Sequence, residues 1–210
     1  MGGFAGSRFT DAEEIKTGDV MPIFIATSRK MNADGSMTAD LSPTTNYLMN
    51  LINIPKDHKT GQIERPSFGS ESRNSHFTFL SQRVLDHDRF RAEISAQLSG
   101  RIGTARDILV YVHGFNTAYD EARFRLAQIA TDSGFTGVPI LFTWPSQNRA
   151  FAYGADKDNA TASRDDLTTV LSELGTMPGV GRIHILAHSM GTWLTMEALR
   201  ESAIAGRGDL

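Results

Sequence analysis

Three apolar runs govern what this chain can fold into: "DILVYVHGFN" (107–116), "GVPILFTWPS" (137–146) and "RIHILA" (182–187). The first is almost continuously apolar from Ile108 to Val112, which suits a strand covered on both faces, as in a parallel sheet. Each run is followed by a stretch with helical marks. Residues 117–134 open with Thr117 and Asp120 at capping-box spacing and have Gly134 near the end. Residues 163–175 open with Ser163 and Asp166 at cap spacing, carry Leu167, Val170, Leu171 and Leu174 on one face, and stop at Gly175. A third helix is expected from Met190 to about Ala203. From residue 107 on, the order is β-α-β-α-β-α. That order predicts an α/β fold: a mostly parallel sheet, right-handed crossovers and helices on both faces.

The first half carries weaker signals. Residues 20–26 read as a strand, the turn-rich stretch 31–45 as a loop, and 46–55 as a second strand. Residues 56–75 read as a polar loop and 76–80 as a short strand. Residues 86–100 read as a helix, with Phe90, Ile94 and Leu98 on one stripe and Gly100 as its stop. Residues 1–19 read as a flexible leader, and 20–210 as one domain. The leader lacks the charged region and apolar core of a signal peptide, so the compartment stays open between cytoplasm and periplasm.

Composition closes several function classes. The net charge is −3 with no long block of one sign, which gives no support to nucleic-acid binding or polybasic membrane attachment. There is no cysteine, so disulfides and thiol-based metal or redox sites are excluded. No apolar run is long enough to predict a membrane span.

The chemistry concentrates at the ends of the three runs. "AHSMG" (187–191) fits small-x-Ser-x-Gly between a strand and a helix, with Ala187 in place of the more usual glycine. Such a turn lifts the Ser189 hydroxyl above the carboxyl edge of the sheet. It also puts the Met190 N–H at a helix start, where the dipole favours a developing oxyanion. The competing reading is a serine that merely caps a helix. "YVHGFN" (111–116) ends a strand in His113 and Gly114. Its loop offers the Phe115 N–H as a second oxyanion donor, with Asn116 beside it. His113 is expected to pack and hydrogen-bond beneath the loop, and His188 to orient the turn or line the pocket. His58, His76 and His87 read as surface residues. Trp144 and Ser146 of "TWPS" sit at the same sheet edge, as pocket wall and substrate contact or as a packed strand end. Asp156 or Asp158 in "FAYGADKDNA" (151–160) is a candidate to orient a histidine, although solvated loop charges are commoner.

Together "VHGFNTAYDEARFRLAQI", "FTWPS" and "AHSMGTW", with the upstream "ATSRK" and "IPKDHKTGQIERP", resemble the α/β-hydrolase superfamily. More narrowly, they resemble a bacterial α/β-hydrolase family of unassigned function. The resemblance covers about residues 20–206. It implies a Ser-Asp/Glu-His triad in that order with Ser189 as nucleophile, and oxyanion donors at Phe115 and Met190. It implies hydrolysis of a small ester-like substrate, with no metal and no cofactor. The superfamily carries its acid and histidine on later strands, whereas only Glu197, Glu201 and Asp209 follow Ser189 here. The expectation is an incomplete domain whose C-terminal strands, acid and histidine lie beyond Leu210. The other accounts are partner residues from another chain or an upstream histidine, and a catalytically inactive binding module on the same fold. A sheet ending at 182–187 would expose a strand edge and favour self-association.

Overall fold

Strand β4 (Ile108–Val112) is buried along its whole length. Ile108, Val110 and Val112 face one apolar cluster, while Leu109 and Tyr111 face another. The computed structural model describes residues 19–206. The leader expected over 1–19 lies, but for Asp19, outside the described residues. Parallel neighbours flank β4: β5 (Val138–Thr143) on one side and β6 (Ile183–Ala187) on the other. Strand β1 (Val20–Met31) joins β5 in parallel, and β2 (Met37–Asn53) and β3 (Thr78–Leu85) follow antiparallel. The six-stranded order is β3-β2-β1-β5-β4-β6, mostly parallel, as the alternation from residue 107 predicted.

Helices cover both faces. On one lie α1 (His87–Leu98), α4 (Arg164–Gly175) and α5 (Met190–Ile204), which bury Phe90, Ile94, Leu167, Leu171 and Leu194 against the β4 and β5 residues of that side. On the other lies α2 (Tyr119–Asp132), which buries Ala122, Phe124, Leu126 and Ala127. β6 forms one outer edge of the described sheet. Its Ile183, Ile185 and Ala187 pack on the first cluster, while His184 and Leu186 face out. Among the described residues no helix is long and apolar enough to cross a membrane.

Three expectations need correction. The stretch 31–45 is not a loop: β1 and β2 form one long hairpin closed by a turn at 32–36. Gly35 takes a φ of 83°, and Asp34 accepts from the Ser36 N–H and hydroxyl. The extension has little core to face, only Met31 and Met37 reaching the second cluster, so its residues carry no apolar alternation; backbone pairing and a few side-chain bonds make it a strand. Residues 151–160 are not a loop either, because α3 (Tyr153–Ala162) occupies them. Only Asp156 and Ala160 of α3 are buried, too few to write a periodic stripe. The predicted caps at Thr117 and Ser163 are also absent. α2 starts after Ala118 without a side-chain cap, and the Ser163 hydroxyl bonds Asn159 O and the Ser28 hydroxyl instead.

Candidate active site

The ladder between β6 and β4 continues one step past the strand, where the His188 N–H donates to Val112 O at 3.0 Å. The chain then reverses at Ser189, whose φ of 52° and ψ of −122° are costly for a residue with a Cβ. Ser189 is exposed, and its hydroxyl caps nothing, although it occupies the N-cap position of α5. This removes the reading of Ser189 as a helix cap. The Met190 N–H belongs to the first turn of α5, where helix donors have no partner within the helix. Gly191 makes the reversal possible, since a Cβ there would sit 2.3 Å from His113 O and 2.6 Å from Val112 O.

The loop after β4 lies directly against this turn. A Cβ on Gly114 would meet His188 Nδ1 at 2.7 Å and Ser189 Cβ at 3.0 Å. Gly114 therefore lies against the serine, and Phe115 and Asn116 follow it along the loop. Phe115, Asn116, Ala187 and His188 help line a cleft of about 630 Å³, floored by Tyr111 and Leu186. Tyr153 of α3 packs edge-on to Phe115, ring centres 5.4 Å apart.

His113, Trp144 and Ser146 do not wall this cleft; all three are buried beneath the loop. The His113 ring stacks on Trp144 at 5.0 Å. Its Nδ1 lies 2.9 Å from Gly114 O, which can only accept, so Nδ1 carries the proton. Nε2 then accepts from the Trp144 N–H at 3.2 Å and from the Thr143 hydroxyl at 2.9 Å. The Thr143 hydroxyl in turn accepts from Arg29 Nε at 3.1 Å. Burial, helped by the nearby Arg29 charge, pushes the His113 pKa down to about 3. His113 is thus neutral, with both nitrogens committed, and is not a base for Ser189.

The remaining histidines are engaged elsewhere. His58 sits between Glu64 and Asp132, at 2.9 and 2.8 Å, and is largely buried rather than the surface residue expected. His76 accepts from the Ser72 N–H, and His87 pairs with Glu173. His184 pairs with Asp107 at 3.0 Å, which is suitable chemistry at the opposite end of β6. Four residues of extended chain separate it from Ser189, five steps of roughly 16 Å in all. His188 is exposed beside the serine, its ring against Gly114.

Two charges are buried where the sequence reads as solvated, and Asp156, a candidate to orient a histidine, bonds none. Arg29, at the end of β1, is 3% exposed, and Asp156, in the first turn of α3, is fully buried; Asp158 stays in solvent. Asp156 accepts from the Ser146 hydroxyl, the Gln147 N–H and the Asn116 N–H. Arg29 donates to the carbonyls of Thr38, Ser146 and Thr117. Burial lowers the Arg29 pKa to about 10, against the pull of Asp156, so the guanidinium remains charged at neutral pH. The available signal was weak: a polar "TSR" closing an apolar strand ordinarily reads as its solvated end.

A parallel sheet flanked by helices, with a strained serine on the strand-to-helix turn at its carboxyl edge, defines the α/β-hydrolase class. The family described as alpha/beta hydrolase of unknown function (DUF900) matches residues 86–209, more than half of the chain, and the chain belongs to that family. No curated protein and no solved structure matches it.

Proposed function

We propose that the protein is a serine hydrolase that cleaves carboxylic esters through an acyl-enzyme on Ser189. The observation that carries this reading is the Ser189 backbone. A left-handed, uncapped serine on a turn closed by Gly191 has no structural use for its hydroxyl, and strain of this sort is retained where function needs it. In the reaction Ser189 Oγ adds to the ester carbonyl, a base takes its proton, and the tetrahedral oxyanion collapses to release the alcohol. Water then repeats the addition on the acyl-serine and regenerates the hydroxyl.

Phe115 and Met190 are assigned as oxyanion donors. In a trans peptide the carbonyl and the next N–H point in opposite directions. His113 holds the Gly114 carbonyl down beneath the loop, so the Phe115 N–H is turned the other way, toward the side where Ser189 lies. His113, Trp144 and Ser146 act as supports of the loop, and Asn116 and His188 as cleft walls. No described histidine pairs with Ser189, so neither the base nor its carboxylate is assigned to a described residue. That same observation favours a second reading, a binding module without catalysis.

A serine-directed fluorophosphonate separates the two. Labelling of the wild type and none of Ser189→Ala is the expected result. Equal labelling of both, or of neither, would sink the hydrolase reading. Turnover alone is a poorer test, since an oxyanion hole without a triad still leaves roughly 10³–10⁴-fold catalysis over water.

A further inference from the structure

Four consecutive peptide units follow His113 at the carboxyl edge, and each is held by a different buried side chain. His113 takes the Gly114 carbonyl at 2.9 Å, fixing the 114–115 unit. Asp156 takes the Asn116 N–H at 3.4 Å, fixing the next. The Ser146 hydroxyl takes the Thr117 N–H at 3.2 Å, and Arg29 Nη2 reaches the Thr117 carbonyl at 3.1 Å. The neighbouring turn is gripped by the same two charges. Asp156 accepts from the Ser146 hydroxyl at 2.5 Å and from the Gln147 N–H at 2.7 Å, while Arg29 Nη1 reaches Ser146 O at 3.4 Å. The carboxylate collects N–H and O–H donors from the two loops, and the guanidinium collects their carbonyls. Asn116 sits between these grips with a φ of 56°.

A buried pair of this kind is a poor way to gain stability. Desolvating two charges costs several kcal/mol each, and well-packed apolar residues often serve as well. What the pair supplies is direction. A carboxylate that takes only donors and a guanidinium that takes only acceptors define which way each peptide faces, which apolar packing does not.

Resting on the reading of Ser189 as nucleophile, we propose that Asp156 and Arg29 are positioning residues. Acting through Asn116, Ser146 and Thr117, they keep the Phe115 N–H aimed at the oxyanion that forms over Ser189. Neither touches the substrate. Their effect falls on the transition state, where the oxyanion exists, and not on ground-state binding.

The test is the fluorophosphonate reaction with Ser189, resolved into its maximal rate and its half-saturating concentration, in the wild type, Asp156→Asn and Ser146→Ala. Asp165→Asn, an exposed acid-to-amide change on α4, is the control. Asparagine keeps the shape of Asp156 but turns an acceptor into a donor facing N–H groups. Loss of one oxyanion donor typically lowers rate 10²–10³-fold, so Asp156→Asn should lower the maximal rate by about 10²-fold. Half-saturation should stay within about threefold, the pattern of a transition-state interaction. Ser146→Ala keeps both charges and should show the same split with a smaller loss. Should Asp156→Asn fail to fold, Ser146→Ala decides alone. A wild-type maximal rate in the folded variants, even with a lowered urea midpoint, overturns the positioning role and leaves Ser189 as nucleophile intact. Absence of labelling in the wild type overturns both.

Discussion

The two halves of the candidate site are built on opposite principles. The loop 113–117 is held from beneath by side chains: His113, Ser146, Asp156 and Arg29 each fasten one of its peptide units. The turn 187–191 is held mainly by backbone: a ladder bond from His188 N–H to Val112 O, helical bonds from Gly191 and Thr192, and the close seat of Gly191 on β4, with one side-chain bond from the Thr192 hydroxyl to Ala187 O. A side-chain scaffold can be tuned, because each anchor can be exchanged and the neighbouring ones remain. A backbone scaffold is all or nothing, but it frees the serine side chain from any structural duty. The halves meet where Gly114 lies against His188 and Ser189.

The contrast breaks most readily at Gly191. In Gly191→Ala the new methyl meets His113 O at 2.3 Å, and backbone cannot give way as a flexible side chain does. Overpacking of this kind costs about 3 kcal/mol, at the upper end of its usual range. Urea unfolding should show a loss of that size together with lost Ser189 labelling. Unchanged stability would mean that the turn is not seated as described.

Comparable in size is a pH effect on the loop half. The His113 pKa is about 3 folded and about 6.5 when unfolded. Below pH 6.5 the unfolded chain takes up a proton that the folded one refuses, so stability falls as pH drops, by at most about 1.4 kcal/mol per unit. His113→Gln removes this titration. The stability gap between wild type and variant should therefore shrink on going from pH 7 to pH 4. Elsewhere the sign reverses. Burial lowers the His58 pKa, but its bonds and charge contacts with Glu64 and Asp132 outweigh this and raise it, so His58 contributes below pH 6.5 and its contribution fades as pH rises. That term is common to both proteins and cancels in the comparison. Parallel curves would show that His113 is not held neutral.

The smallest expected change sharpens the turn half. Glycine accepts the φ of 52° at position 189 without the penalty alanine suffers. Ser189→Gly should thus be about 1 kcal/mol more stable than Ser189→Ala, some 2–4 °C in melting temperature for a domain of this size. Equal melting temperatures would mean that Ser189 stores no strain.

The same division explains what could be read in the sequence. Ser189, Gly191 and Gly114 were legible because their geometry is local: a few adjacent residues encode a turn between a strand and a helix. The parallel core was legible because Ile108–Val112 and its neighbours carry continuous apolar runs. The long hairpin was not, since its outer part pairs by backbone and writes no pattern in side chains. Nor was α3, which buries one carboxylate and one alanine. The Arg29 grip was hidden most deeply. Arg29 and Thr143 meet across 114 positions of sequence, and a charged residue at a strand end reads as solvated until its distant partners are known.

The spread of the anchors along the chain also sets an order of assembly. Arg29 lies in a hairpin of neighbouring strands that leaves the ribosome early, while Thr143, Ser146 and Asp156 are translated more than a hundred residues later. Local pairings form readily, and distant ones bear the closure entropy of the chain between. Docking the hairpin without those later residues would strand the guanidinium in the interior, at a cost of several kcal/mol. Only the arrival of β5 and α3 makes its burial tolerable. The hairpin and the later β5–α3 segment are thus energetically coupled through one buried guanidinium.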